Sequence, residues 1–281
     1  VFKVYSTVSG RRSMCDMSDA VAKGHLSRPV HYNSIARFME SPGLTPILRR
    51  LIEESSLPLA AVETDFAADS TGFATSRYAR WFDHKYGRPM QECEWVKVHA
   101  MTGVKTNIIT AVELGIGADN DSPQFVPLLK STAKNFKVNE VSADAAYASY
   151  DNMEAAARIG ATPFMAFPNN TTAAGGGTFA RMFHYYKFNR DDYLKHYHKR
   201  SNVESTFSSV KAKFGGSLRS KMDAALYNEA LCKILCHNLC RLVQSTYELG
   251  ITAKFWGTDG AAEHAATTGT EDESGKGWEW V

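Results

Sequence analysis

The chain has 281 residues, of which 44% are hydrophobic and 22% are charged, an ordinary composition for a globular protein. Its 32 Lys and Arg nearly balance its 30 Asp and Glu, so the formal net charge of +2 neither favours nor excludes a nucleic-acid partner. No apolar run approaches the ~18 residues that a membrane span needs, and nothing near Val1 is typical of a signal peptide. We expect a soluble protein of one or two domains. Its first residue is not methionine, which suggests a chain shortened at the N-terminus.

Five cysteines, an odd number without a CxxC pair, favour a reduced cytosolic protein over a disulfide framework. Cys232, Cys236 and Cys240 recur at every fourth residue, with His237 among them. This spacing permits a metal site or a seam between packed helices. We favour packing, because Cys and His zinc sites usually draw their ligands from two separate elements.

The first 58 residues are predicted to be helical and basic. Short helices are expected over residues 17–23 and 31–40, with a turn over residues 24–29 between them. This arrangement resembles a helix-turn-helix with five cations available for phosphates: Arg11, Arg12, Lys23, Arg28 and Arg37. A plain helical hairpin explains the same pattern, so both interpretations stay open. A third helix is expected over residues 46–54, with four residues inward: Ile47, Leu48, Leu51 and Ile52.

After Pro58 the hydrophobic periodicity changes. Strands are predicted over residues 60–68, 95–101 and 106–114, the last two joined by a turn at Thr102 and Gly103. A helix over 123–133, a strand over 138–143, a helix over 153–159 and a short strand over 163–167 follow. Two long helices are expected over 191–214 and 222–249. Three strands followed by alternating helices and strands predict an α/β fold, a mixed sheet flanked by helices in the ribonuclease-H-like order.

Charge is distributed unevenly behind the small net value. Between Tyr185 and Lys221 there are nine Lys or Arg, three acidic residues and several tyrosines, which suits a groove that follows a phosphate backbone. Residues 257–281 contain five glycines, six acidic residues and one lysine, without a periodic apolar face. We expect this segment to be a disordered acidic tail.

The basic stretch contains a polar stripe. On an ideal helix, four polar side chains fall within about 60° of one another: Tyr197, Arg200, Glu204 and Lys211. A neighbouring apolar stripe can pack on the sheet: Val203, Phe207, Val210 and Phe214. Arg200 and Glu204 are four residues apart, so an ion pair within the helix is enough to explain their spacing. The residues by themselves favour that simple explanation.

The same four residues fill every position of the pattern Tyr-x2-Arg-x3-Glu-x6-Lys, and in this the chain resembles the DDE transposases of bacterial insertion sequences. Residues 66–72, where Ser70 and Thr71 follow Asp69, are similar to the first catalytic segment of that family. Residues 141–147, where Asp144 ends a predicted strand, are similar to the second. Residues 228–238 resemble the helix after the catalytic one. The resemblance covers about residues 58–250.

This resemblance implies a ribonuclease-H-like catalytic domain over residues 59–250, in which Asp69, Asp144 and Glu204 are catalytic and bind two Mg²⁺ ions, with Mn²⁺ as a substitute. Mg²⁺ prefers carboxylate oxygens, and a pair of ions can stabilise both the attacking and the leaving oxygen. Five further residues are expected to contact DNA phosphates: Tyr197, Arg200, Lys211, Lys199 and Lys213.

Two of these assignments have alternatives. Glu63 and Asp65 share a strand face with Asp69, and only the resemblance selects Asp69, with Asp65 as the second choice. Asp144 is also a plausible N-cap of the following helix. We expect Asp151 to take that capping role, which leaves Asp144 for metal.

The implied activity is cleavage and transfer of DNA strands at the ends of an insertion sequence, on double-stranded element ends and target DNA. Two ends must be held together, so we expect a homodimer on DNA, in the bacterial cytoplasm at the nucleoid. The 60 residues between Asp144 and Glu204 leave no room for the β-rich insertion of some relatives, and the glycine-rich residues 169–177 lack the features of a P-loop. Two alternatives remain: an inactive or truncated transposase-derived DNA-binding protein, and a nuclease that hydrolyses without joining strands.

Overall fold

The computed structural model describes residues 1–75, 95–116, 119–168, 171–172 and 176–252. The tail predicted over 257–281 lies outside these ranges. The N-terminal part contains four helices, α1 (Phe2–Tyr5), α2 (Ser13–Ala22), α3 (Tyr32–Met39) and α4 (Leu44–Ser56), and a 3₁₀ turn (Leu57–Leu59). Residues 23–31 between α2 and α3 form a longer connection than the tight turn of a helix-turn-helix. The DNA-binding interpretation of this region stays a prediction.

Helix α4 packs into the same core as the sheet. Leu48 and Ile52 are buried as predicted, but Ile47 and Leu51 are 53% and 39% exposed, so their inward placement was wrong. The buried apolar residues of α4 lie four apart along one line, which gives a narrower apolar stripe than expected. The helical region before Pro58 therefore shares its core with the rest of the protein.

Five strands form one mixed sheet: β1 (Asp65–Ala74), β2 (Trp95–Gly103), β3 (Ile109–Ile116), β4 (Glu140–Ala143) and β5 (Thr162–Met165). Their order is β3-β2-β1-β4-β5; β1, β2 and β3 pair antiparallel, whereas β1, β4 and β5 pair parallel. The predicted mixed α/β sheet is confirmed. Parallel pairing places β1 beside β4 in the centre, with Ala68 opposite Ala143 at the end of their shared ladder.

The hairpin turn between β2 and β3 differs from the prediction, since Thr102 and Gly103 are still in β2. The turn falls at residues 104–106 because the buried carboxylate of Glu63 binds it there. Glu63 accepts hydrogen bonds from the backbone N–H groups of Lys105 and Thr106 and from the Thr106 hydroxyl. A Cβ atom on Gly103 would lie 2.5 Å from Glu63 Cδ, so this carboxylate fits only against a glycine.

Helices cover both faces of the sheet. One face carries α5 (Ser122–Ala133), α6 (Tyr150–Arg158), α7 (Gly177–Phe188) and α8 (Arg190–Tyr197); the other carries α9 (Ser201–Phe214) and α10 (Asp223–Leu249) together with α3 and α4. The two remaining 3₁₀ turns are Ala145–Tyr147 and His198–Arg200. The segment predicted as one helix over 191–214 is helical, but its continuity was wrong, because the second of these turns separates α8 from α9. Helix α7 was not predicted, whereas α10 was.

The cysteines of α10 pack in the core, as expected. Cys232 and Cys236 are buried and Cys240 lies at the margin of the same cluster. Burial raises the pKa of the Cys236 thiol to about 12, so it stays protonated and inert. The neighbouring His237 is also buried, with Nε2 2.9 Å from the carbonyl oxygen of Asn107. These side chains stabilise the packing of α10 against the sheet.

Candidate active site

Asp69 lies in the middle of the central strand β1, with 16% of its side chain exposed. Its Oδ1 accepts a hydrogen bond from the backbone N–H of Ser70 at 2.8 Å, and its Oδ2 lies 3.0 Å from Nη1 of Arg200. Burial raises the pKa of Asp69, and the charges of Asp144 and Glu204 raise it further. The Ser70 N–H and the Arg200 charge oppose that rise without cancelling it.

Asp144 follows directly after β4, and Asp69 follows the last residue of β1 that pairs with β4. Because Ala68 and Ala143 are opposite each other in a parallel pair, the two aspartates leave the shared ladder at the same edge. Asp144 Oδ1 accepts a hydrogen bond from the N–H of Ala146 at 3.1 Å and so caps the short 3₁₀ turn. Asp144 therefore does act as a cap, as the alternative interpretation held. The cap uses one acceptor site of the carboxylate and leaves its other lone pairs for a metal ion.

The prediction that Asp151 caps the next helix was wrong. Ser149 is the N-cap of α6, and its hydroxyl accepts a hydrogen bond from the N–H of Asn152 at 3.2 Å. Asp151 lies in the first turn of α6 instead, where its negative charge interacts favourably with the positive end of the helix dipole.

Glu204 lies in the first turn of α9, and 55% of its side chain is exposed. Its Oε1 is 2.6 Å from Nη2 of Arg200, which is the ion pair expected from their spacing. The same guanidinium binds Asp69 through its other nitrogen. Arg200 thus joins two acidic side chains that the sequence separates widely, a contact that spacing within one helix cannot predict.

The charges of Asp144 and Glu204 act on Asp69, but the three predicted metal ligands are not grouped as they would be around a bound ion. In the described part of the chain, no three His, Cys, Asp or Glu side chains are grouped closely enough to hold one metal ion. The donor set nevertheless fits Mg²⁺, since it offers only carboxylate oxygens. A cation there would also offset the repulsion and burial that raise the pKa of Asp69.

Lys199 is half-buried, and its ammonium group binds two carboxylates of the sheet. Its Nζ is 2.7 Å from Oδ2 of Asp65 and 2.7 Å from Oε2 of Glu140, at the start of β1 and β4. Burial alone would lower the pKa of Lys199, but the hydrogen bonds to the two carboxylates outweigh it and raise the pKa. Sequence reasoning assigned Lys199 to DNA and missed this internal role. The contact also occupies Asp65, the alternative to Asp69.

The other predicted DNA ligands lie on α8 and α9. The ring of Tyr197 lies 6.0 Å from the guanidinium carbon of Arg200. Lys211 Nζ lies 5.7 Å from the centre of the Phe73 ring, and burial lowers the pKa of this lysine. Lys213 is exposed, with Nζ 3.0 Å from Cys240 Sγ. Lys211 therefore packs against β1 at Phe73, whereas Lys213 points toward α10.

A buried polar cluster beside the carboxylates was not predicted. The hydroxyl of fully buried Tyr147 lies 3.3 Å from Nδ1 of fully buried His99. Asp121 Oδ1 lies 3.4 Å from the same nitrogen and 2.6 Å from Lys97 Nζ. Burial lowers the pKa of His99 and raises that of Tyr147. The sequence marked Tyr147 by its position after Asp144, but no spacing pointed to the other members.

The protein has a five-stranded mixed sheet with helices on both faces, and acidic residues follow the point where β1 and β4 stop pairing. This arrangement defines a ribonuclease-H-like α/β domain. Residues 61–239 match the family model described as "Transposase DDE domain", so the chain belongs to the DDE transposase family. No curated protein sequence matches the chain. The family generally depends on divalent metal and acts on DNA. None of the helices in the described ranges has both the length and the hydropathy needed to cross a bilayer.

Proposed function

We propose that this protein is a transposase that cleaves DNA at the ends of an insertion sequence and transfers the freed strands, in the branch with the Tyr197 to Lys211 signature. The observation that carries the proposal is that Arg200 binds both Asp69 on β1 and Glu204 on α9, while Asp144 follows the neighbouring strand β4. A surface ion pair between Arg200 and Glu204 alone would not involve the central strand.

Asp69, Asp144 and Glu204 would hold two Mg²⁺ ions, or Mn²⁺ in their place. Bound there, the metal would lower the pKa of a nucleophilic water or 3′-hydroxyl and stabilise charge on the phosphodiester oxygens. Asp69 is partly shielded from solvent and held by the Ser70 N–H, so its carboxylate is fixed in direction before substrate arrives. Glu204 is exposed on the first turn of α9 and would supply a carboxylate ligand on the side of the site that faces DNA.

The positive side chains would position the substrate. Arg200 offers a planar fork suited to a phosphate, and it is held beside the carboxylates by two ion pairs. Tyr197 lies beside it, while Lys211 against Phe73 and exposed Lys213 would extend the positive surface along α9. Two element ends must be held together for transfer, which supports a homodimer assembled on DNA at the bacterial nucleoid.

The test uses a duplex that carries the DNA flanking this gene, with Mg²⁺, and follows both nicking and strand joining. We expect Asp69→Asn, Asp144→Asn and Glu204→Gln each to abolish both reactions while binding to the duplex is retained. Asp151→Asn is the matched control, because Asp151 is an exposed acidic residue near Asp144 that caps nothing. Full cleavage by the Glu204 variant would overturn the assignment.

The same assay separates the two other functions. A transposase-derived protein that only occupies element ends would bind the duplex without any metal-dependent nick. A nuclease of another kind would nick the duplex but never join the freed end to a second DNA.

A further inference from the structure

A cleft lies along β1 immediately after Asp69. β4 pairs with β1 only as far as Ala68, and Ser217 meets the same strand at Ala74. Between these points no described strand covers this edge of β1. The cleft has a volume of about 340 Å³, within the size range of small-ligand sites, and six residues line it: Ser70, Thr71, Gly72, Trp95, Lys97 and Lys211.

Trp95 forms the aromatic wall of this cleft. It is the first residue of β2 and is 48% exposed, which is unusual for so large an apolar side chain in a sheet. Its ring lies against β1, since a Cβ atom on Gly72 would be 3.1 Å from the ring atom Cε3. The missing side chain at Gly72 therefore lets the indole rest on the strand backbone while part of it remains open to solvent.

The two lysines of the cleft differ in their charge balance. Lys97 is already neutralised, with Nζ 2.6 Å from Asp121 Oδ1 and 3.0 Å from the carbonyl oxygen of Asp119. For Lys211, no carboxylate of the described ranges lies within ion-pair distance, and burial lowers its pKa with no opposing charge. Among the residues that the structure describes, Lys211 is thus a partly buried cation without a carboxylate partner.

An aromatic face and a cation without a carboxylate partner in the described ranges are together the complement of a nucleotide. Stacking on an indole does not depend on base identity, and the ammonium group would bind the adjoining phosphate. We propose that Trp95 stacks on a nucleobase beside the phosphodiester presented to Asp69, with Lys211 on the next phosphate. The inference rests on the proposed function, because it places DNA at this edge of the sheet.

Trp95 has a simpler possible role, that of covering Gly72 within the hairpin. The variant Trp95→Leu keeps an apolar cover over Gly72 but removes the stacking face, whereas Trp95→Phe keeps a smaller face. Tyr247→Ala is the control, because Tyr247 is an aromatic residue on α10, 86% exposed and outside the cleft.

The probe is a duplex with a short single-stranded end in which one unpaired base is 2-aminopurine, whose fluorescence falls when it stacks. Binding to wild-type protein should quench the probe. Trp95→Leu should remove the quenching and weaken binding about 5- to 150-fold, the range for loss of one stacked base. Trp95→Phe should retain most of both signals, and Tyr247→Ala all of them. Equal quenching and affinity in Trp95→Leu and wild type would overturn the inference.

A second measurement does not depend on the folding of a variant. Wild-type protein is irradiated with the same duplex carrying 5-iodouracil in the unpaired end, and the cross-linked peptide is identified by mass spectrometry. A cross-link at Trp95 supports the inference, and a cross-link map without Trp95 overturns it. If wild-type protein binds no DNA at all, the proposed function fails; if it binds DNA away from Trp95, only this inference fails.

Discussion

The Arg200 guanidinium lies 3.0 Å from the carboxylate of Asp69, although 131 residues of sequence separate them. Its other terminal nitrogen binds Glu204 at 2.6 Å. One positive charge therefore joins the central strand to helix α9 and reduces the repulsion between two acidic side chains. We expect a divalent cation to compete with Arg200 for these oxygens, which leaves the guanidinium free to bind a phosphate.

The first prediction follows from that competition. Replacing Arg200 by Ala leaves Asp69 and Glu204 without a counter-charge, so the free energy of unfolding without metal should fall by about 1 kcal/mol. Mg²⁺ should then raise the melting temperature of the variant more than that of wild type. Thermal unfolding with and without Mg²⁺ measures both effects. Arg50→Ala, which breaks the exposed Arg50–Glu54 pair, should change neither, and equal Mg²⁺ stabilisation of all three proteins would contradict the competition.

The second prediction concerns Lys199. Replacing it by Met removes the ammonium between Asp65 and Glu140 and leaves two carboxylates that repel each other. Because the side chain is 30% exposed, we expect a loss of about 1–2 kcal/mol in the free energy of unfolding, less than for a fully buried pair. Urea denaturation measures the loss. Unchanged stability with weaker, less salt-dependent DNA binding would instead make Lys199 a DNA ligand.

Lys211 should behave in the opposite way. Lys211→Met keeps an unbranched side chain of similar length beside Phe73 and removes a partly buried charge, so stability should stay within about 0.5 kcal/mol of wild type. The loss of one phosphate contact should weaken DNA binding and reduce the slope of log K against log salt by about 0.9 for a duplex. Fluorescence anisotropy at several salt concentrations tests this. Lys130→Met on α5, an exposed lysine outside the basic stretch, should leave the slope unchanged.

The fourth prediction is a pH dependence of stability. Burial lowers the pKa of His237 to about 4, below its value of about 6.5 in an unfolded chain. The unfolded state therefore binds more protons between these values, and the contribution of His237 is complete above about pH 6.5 and lost as the pH falls toward 4. The loss amounts to up to about 3 kcal/mol. His237→Gln can still donate to the Asn107 carbonyl but does not titrate, so its urea midpoint should fall less steeply over this range. If the urea midpoints of the two proteins fell equally steeply over this range, His237 would not be the cause of the pH dependence.

Periodicity predicted the parts of the fold that depend on local pattern. The alternating strands, their mixed order and the long helix α10 follow from the sequence because each buries a regular apolar face. The break at His198–Arg200 could not be predicted, since it is imposed by carboxylates on β1 and β4 that bind Lys199 and Arg200. On an ideal helix these cations belong to one continuous stripe. Tertiary ion pairs override that local preference.

The candidate site was predictable to a similar extent. Alternation places Asp65 and Asp69 on one strand face, and both do contact the His198–Arg200 turn. It cannot say which of them remains near the other carboxylates, because that depends on where Lys199 binds. The cluster of Tyr147, His99 and Asp121 depends on three elements meeting in space, and no spacing in the chain records it.

At the start of the β2–β3 turn, the Glu63 carboxylate fills the space that a side chain in place of Gly103 would occupy. Any substitution that gives position 103 a side chain must displace the carboxylate that holds the turn, and a shorter residue at position 63 would leave the turn's N–H groups without their acceptor. The two positions are therefore coupled in protein design: a library that varies one alone should yield misfolded hairpins, whereas paired exchanges can preserve the register of β2 and β3. β2 also pairs with β1 and carries Trp95 against it, so a shift of β2 caused at this distant turn can reshape the cleft beside Asp69.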